Sequence, residues 1–241
     1  ENLRYIEFDF KKARSYERAL ENVNKVFLVR PPQISNVKDV IFPFIDEMAK
    51  YNINKVVFLS LLGAEKNPLV PHHKIEKYIK KSSINYTFLR PSFFMQNLST
   101  THCIDIRENK EIFVPAGKGK TSFIDIRDIA EVGAKVLLED GHKNKSYSLT
   151  GKEAFNYYEV AEIFRELLDE NIVYSAPSTI KFFNKMKERG YKTAYVLVML
   201  GIYTTVRMGF AKRTTDDLEK LLGRDAMSIR KYIEDYKEYW I

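Results

Sequence analysis

Four short turns in this 241-residue chain carry side chains suited to polar chemistry, each following an apolar stretch. They read Phe8-Asp9-Phe10, Val29-Arg30-Pro31-Pro32, Ser60-Leu61-Leu62-Gly63 and Arg90-Pro91-Ser92-Phe93-Phe94. Asp9 can accept a hydrogen bond from an adenine amino group or a ribose, and can equally cap the helix that follows. Arg30 can pair with a phosphate or simply solvate the Pro-Pro turn. The Ser60 hydroxyl can polarise a carbonyl or stabilise its own turn. His72, beside His73 and Lys74, titrates in the right range for acid–base work, although a surface imidazole is the plainer assignment. Metal chemistry is not expected, because only His102 and His142 accompany that pair and no HExxH or CxxC spacing occurs. Cys103 reads as core or helix filler rather than nucleophile. Phe93 and Phe94 can wall an apolar pocket for a flat ring, or pack into the core. No GxSxG elbow, Walker A loop or EF-hand loop is present.

Apolar runs alternate with amphipathic stretches, and these must position the turns. Arg4–Phe8 has strand character, and Lys12–Glu21 has helical spacing through Ala13, Tyr16 and Leu20. Lys25–Val29 and Lys55–Leu59 are continuous apolar runs of the kind found in buried parallel strands. Between them, Ser35–Tyr51 spaces Val37, Ile41, Ile45 and Met48 helically. His72–Lys81 predicts a helix, and Tyr86–Leu89, closed by Pro91, another strand. The rhythm argues for a parallel sheet with helices on both faces. Ligands of such sheets bind beyond the carboxyl ends of the strands, so the four turns should line one crevice.

After Pro91 the rhythm loosens. Phe93–Asn109 looks helical, and the segments Ile112–Pro115 and Ser122–Ile126 flank a Gly117-Lys118-Gly119 turn. Arg127–Leu138 predicts an amphipathic helix and Ser146–Thr150 a late strand; from Asn156 onward the pattern is mainly helical. We expect a sheet-bearing body over residues 1–151 and a helical part over 152–241.

Composition sets the wider bounds. Hydrophobic residues make up 45% and charged residues 29%, which excludes a disordered or collagen-like chain. The single cysteine cannot form an internal disulfide and suits a reducing, cytoplasmic setting. The longest apolar stretch, Tyr195–Tyr203, is far short of the roughly 20 residues a membrane span needs, so no membrane partner is expected. Lys and Arg total 39 against 32 acids, a net +7, but the basic residues are scattered and nucleic acid is not indicated.

Several stretches together resemble the NmrA-like family, atypical short-chain dehydrogenase/reductases that bind NAD(P). They are FDF with SYERALENVNKVFLVRPP, INKVVFLSLLGA, HHKIEKYIKKSSINYTFLRPSFFMQNL, TSFIDIRDIAEVGAKVLLE, SLTGKEAFNYYEVAEIF and TDDLEKLLGRDAMSIRKYIEDY, in family order over nearly the whole chain. The resemblance implies a Rossmann-like, doubly wound α/β fold with a smaller, mainly helical C-terminal part. It implies NAD(P) as cofactor, with NADP favoured. Contacts to adenine and ribose would come from Asp9, Phe10, Val29, Arg30 and Pro31, and contacts near the nicotinamide from Ser60 and Leu61. The turn Pro91, Ser92 and Phe93 would face the nicotinamide, with Phe94 and Asn97 toward the substrate. Where reductases of the family place a lysine, this chain has His72, and His72 and Ser60 become the candidates for the proton or oxyanion contact.

The chain also departs from the family pattern. The family opens on a strand and a TGATGxxG-type loop whose amides hold the pyrophosphate. Here the first glycine is Gly63, and the chain starts where the third strand would be, so the N-terminal βαβ unit is expected to be absent from this sequence. Neither the tyrosine nor the lysine of the YxxxK pair of typical short-chain dehydrogenases is present in the His72–Lys81 helix, because Tyr78 falls in the wrong place. Two functions follow from the resemblance. One is an NAD(P)H-dependent reductase of a small carbonyl or quinone; the other is a non-catalytic NAD(P)-sensing protein with a protein partner. A monomer or homodimer suits either.

Overall fold

The computed structural model describes residues 3–241. Its strands are β1 (Lys25–Val29), β2 (Lys55–Leu59), β3 (Asn85–Pro91), β4 (Glu111–Ile112), β5 (Lys145–Leu149) and β6 (Val173–Tyr174). The first helices are α1 (Tyr16–Leu20), α2 (Val37–Val40), α3 (Phe42–Lys50), α4 (Pro71–Ile79), α5 (Gln96–Ser99), α6 (Cys103–Asn109) and α7 (Ile126–Leu138). They are followed by α8 (Tyr157–Leu168), α9 (Thr179–Glu188), α10 (Thr193–Arg207), α11 (Asp217–Leu222) and α12 (Ile229–Asp235). The chain divides into two compact units. The first runs to Pro91 and takes in Ala130–Ser148; the second comprises Ser92–Ile129 and Leu149–Ile241.

The first unit is built on a sheet of order β1-β2-β3-β5, with β1, β2 and β3 parallel and Leu28, Phe58 and Phe88 in register. Side chains alternate across a strand. Leu28, Val56, Phe58 and Phe88 join one core with Ile45 and Met48 of α3 and Ile75 and Ile79 of α4. Phe27 points the other way and lies against α7, where a Cβ at Gly133 would come within 2.9 Å of its ring. Helices therefore cover both faces, and the fold is the α/β, Rossmann-like parallel sheet the sequence implies. At the last turn of α7, carbonyls without intrahelical partners meet two lysines. Lys25 Nζ donates to Leu137 O at 2.6 Å, and the buried Lys55 Nζ donates to Val136 O.

Several elements differ from expectation, each for a local reason. Arg4–Phe8 forms no strand: Tyr5 is 93% exposed, and Phe8 instead packs edge-on against Phe10 and Phe44. β1 exists but is not buried; only Leu28 is, because β1 stands at the end of the strand order. The 35–51 helix is broken at Ile41, just before Pro43, whose ring nitrogen cannot donate to the preceding turn. The 93–109 helix is also broken, into α5 and α6, and it starts late because Phe94 bridges to Ile124 as extended backbone.

In the second unit, α8 opens with a capping box in which Asn156 and Glu159 satisfy each other's backbone amides. Its core joins Phe164, Tyr232 and Trp240 with Met95, Val114 and Phe182. The two segments flanking the Gly117–Gly119 turn do not pair with each other. Glu111–Ile112 pairs with β6, and Thr121 bridges to Phe155. Gly151 sits where no side chain fits, since a Cβ would lie 2.1 Å from the Phe123 carbonyl oxygen. No helix among the described residues is long and apolar enough to cross a membrane.

Candidate functional site

Within the first unit, the turns after β1 and β2 meet the start of α4. Ser60, at the end of β2, is buried and donates its hydroxyl proton to Glu76 Oε1 at 2.6 Å. The same carboxylate takes a bidentate contact from Arg90 on β3, with Nε to Oε1 at 2.9 Å and Nη2 to Oε2 at 2.6 Å. Arg90 Nη1 lies 3.5 Å from Glu65 Oε2. Burial works against the Arg90 charge, but Glu76 and Glu65 outweigh it and hold the guanidinium more firmly charged than usual. Glu76 lies one helical turn after His72, on the same face of α4.

His72 stacks on Phe58 with ring centroids 5.9 Å apart, and its Nδ1 is buried without a partner. Burial first, and then the Arg30 charge, push its pKa down to about 4, with Glu76 opposing. The imidazole is therefore neutral at neutral pH, a hydrogen-bonding group rather than an imidazolium acid. His73 is occupied differently, with Nδ1 2.8 Å from Ala64 O. Arg30 turns back on its own loop, where Nη1 donates to the carbonyls of Pro31 at 2.9 Å, Pro32 at 3.2 Å and Ile34 at 2.7 Å. Its Nε is buried with no partner.

The other expected contacts are distributed as follows. Asp9 Oδ1 accepts from Lys11 N at 2.9 Å and closes a turn, while the Phe10 carbonyl accepts the Tyr16 hydroxyl at 2.6 Å. Val29 is 47% exposed, and the Pro31 and Leu61 carbonyls accept from Ile34 N and Ala64 N. Pro91 is buried at the end of β3, and its carbonyl accepts from Leu62 N at 2.9 Å. The geometry thus brings Ser60 and His72 together around Glu76, with the Arg30 charge acting on His72. Phe10 packs edge-on against Phe44, which also meets Tyr16.

Within the second unit, the stretch from Ser92 to Asn97 is laced to residues 122–127. The Ser92 and Ser122 hydroxyls are 2.9 Å apart, and Met95 N donates to Ile124 O at 2.8 Å. Gln96 Nε2 donates to the buried Asp125 at 2.8 Å, and Asp125 in turn holds Arg127 through Nε at 3.1 Å and Nη2 at 2.8 Å. Phe93 and Phe94 are half-buried and Asn97 is exposed. Phe93 packs on the core of this unit, and Phe94 is not among that core's neighbours.

Sequence reasoning missed Glu76, Arg90 and Glu65. A signal was present for the first two. Arg90 interrupts the apolar strand Tyr86–Leu89, and Glu76 sits beside Ile75 on the inward face of an amphipathic helix. A charge on a buried face demands a partner.

A second imidazole is buried in the second unit, where His102 Nε2 lies 2.6 Å from the Tyr203 hydroxyl. Burial drives its pKa to about 4; Asp105 opposes this and Arg189 reinforces it. His72 and His102 thus have folded pKa values below the unfolded value of about 6.5, so the unfolded chain binds more protons between pH 6.5 and 4. Stability should be complete above that window and fall as pH drops through it, with His102 alone contributing a slope of up to about 1.4 kcal/mol per pH unit. Urea titrations across the window test this against a His102→Gln variant. An equal slope in that variant would remove His102 from the account.

Comparison with known proteins places these features in context. A protein of Bacillus subtilis described as the uncharacterized oxidoreductase YesF is 29% identical over 98% of this chain and 82% of its own length. The Citrobacter triphenylmethane reductase, solved with NADP(H), superposes with a TM-score of 0.84 at 23% identity over 95% of this chain and 82% of that one. The NADPH complex of an Escherichia coli quinone oxidoreductase gives 0.86 at 22% identity, again over 95% and 82%. Residues 2–239 match the NmrA-like family, and the chain belongs to it.

Proposed function

We propose that this protein is an NAD(P)H-dependent oxidoreductase, NADP being the favoured form, that reduces a small carbonyl or quinone. The observation that carries this reading is His72, a neutral imidazole with a buried, unpartnered nitrogen at the carboxyl end of a parallel sheet. Arg30 Nε, buried and equally unpartnered, is the second group awaiting a ligand. Both suit the ribose and nicotinamide end of the cofactor. No glycine-rich strand-to-helix turn lies among these 241 residues, so the pyrophosphate is assigned no contact here. Three of the relatives support the same chemistry, being described as an uncharacterized oxidoreductase, an agroclavine dehydrogenase and an NAD(P)H azoreductase. A purely sensing role is not favoured.

When bound, the dinucleotide supplies the hydride. The chain's own residues then have three tasks. His72 donates a hydrogen bond to the oxygen that gains negative charge on the substrate. Ser60, its proton directed to Glu76, fixes the turn beside it. Phe94 and Asn97 contact the substrate, and Phe93 and Ser92 shape the cofactor side. The body over 1–151 would bind the dinucleotide, and 152–241 would be a substrate- or partner-binding region. The protein would act in the cytoplasm as a monomer or homodimer.

The test is oxidation of NADPH by full-length protein against a panel of quinones, for wild type and His72→Phe. Quinone-dependent oxidation that falls at least tenfold in the variant is expected. Full activity in His72→Phe would remove that residue, and no oxidation with any quinone or aldehyde would overturn the reading.

A further inference from the structure

The Gly117–Lys120 turn is pressed against the C-terminal end of α10. At Gly119 a Cβ would lie 2.2 Å from the Val206 carbonyl oxygen, so turn and helix end are in direct contact. Gly117 (φ 57°) and Gly209 (φ 80°) take left-handed conformations on either side. Between them opens a groove of about 480 Å³, lined by residues 117–120 and 207–209 and by Lys212. That volume falls in the range of about 300–1,000 Å³ common for small-molecule sites.

Charge in the groove is strongly one-sided. Lys120 is neutralised by Glu159 at 2.8 Å. Lys118, Arg207 and Lys212 enter no ion pair among the described residues, and no carboxylate lines the groove. A helix C-terminus would ordinarily repel an anion. Here the last carbonyls are occupied: Thr204 O, Thr205 O and Val206 O accept from Met208 N at 3.0 Å, Phe210 N at 3.0 Å and Gly209 N at 2.9 Å. What remains is a bare glycine floor with three unpaired cations, one of them a planar guanidinium suited to two phosphate oxygens. Met208, 64% exposed, gives the groove an apolar wall.

We propose that this groove binds the phosphate group of a small amphipathic molecule through Lys118, Arg207 and Lys212. None of these residues belongs to the proposed reductase chemistry, so the assignment stands independently of it. The phosphate can come from a soluble ester or from a lipid headgroup, and the experiment separates the two. Full-length protein is titrated with inorganic pyrophosphate while the amide resonances of Gly117, Gly119 and Gly209 are followed. In parallel it is sedimented with phosphatidylcholine vesicles with and without phosphatidic acid.

The glycine amides should shift, with an affinity that falls with salt and weakens at least tenfold in an Arg207→Gln/Lys212→Gln double variant. Lys120→Gln should change little. Pyrophosphate binding without vesicle binding assigns a soluble phosphate; vesicle binding that needs phosphatidic acid and is lost in the double variant assigns a headgroup. Silent glycine amides with no vesicle binding would overturn the proposal, as would binding undiminished in the double variant. All three substitutions are at exposed positions, and unchanged circular dichroism establishes that the variants are folded.

Discussion

Glu76→Leu, with Arg90 left in place, is expected to destabilise the protein by about 3–5 kcal/mol. Glu76 is 3% exposed and Arg90 9%, and the carboxylate holds both the guanidinium and the Ser60 hydroxyl. Removing it strands a largely buried charge, and Glu65, at 3.5 Å, is too distant to replace a bidentate partner. The cost comes from the orphaned cation and not from the net value of the pair. A Glu76→Leu/Arg90→Leu double variant should therefore recover much of the loss, because buried ion pairs replaced on both sides by apolar groups are often near neutral. Urea midpoints for the wild type, both single variants and the double variant complete the cycle. A double variant less stable than either single would sink the explanation and indicate that packing around α4, not charge, carries the effect.

That network also marks the limit of what was legible in the sequence. The strands β2 and β3 could be read directly, since continuous apolar runs bounded by turns have few alternatives. Arg4–Phe8 could not, because strand character needs a neighbour to pair with and none exists among the described residues. The helix break at Ile41 had its signal in Pro43, but the one near Thr100 depends on where the chain must turn, which periodicity does not encode. The site was half legible. Ser60 and His72 were singled out from their place after a strand and before a helix, but their surroundings were not legible. A serine hydroxyl facing a buried carboxylate differs chemically from one facing solvent, and an imidazole at about pH 4 differs from one at its ordinary value. The first arises from Glu76, which Arg90 holds in place. The second arises from burial, with Arg30 adding to it and Glu76 opposing. These three charged residues lie 14 to 60 positions apart in the chain. Partnership of that kind is set by the fold.

Phe94→Ala should lower turnover about 10²-fold, the scale on which a misplaced substrate costs rate, while leaving the protein folded. The adjacent ring is the natural control. Phe93 packs on the core of the second unit and Phe94 does not, although both are half-buried and both backbones are held to the 122–127 segment. A fully buried phenylalanine costs about 3–5 kcal/mol when truncated. A half-exposed ring outside the core forfeits much less area, on the order of 1 kcal/mol. Phe93→Ala should therefore lower the melting temperature more than Phe94→Ala, and Phe94→Ala should lower kcat/KM more than Phe93→Ala. A ring that walls off a flat substrate would show the loss in both kcat and KM, since position and water exclusion fail together. The crossed pattern is the discriminating result, because a general loss of stability cannot produce it. If Phe94→Ala unfolds early and turns over normally, the ring is a packing element and the substrate wall must be sought elsewhere on the second unit.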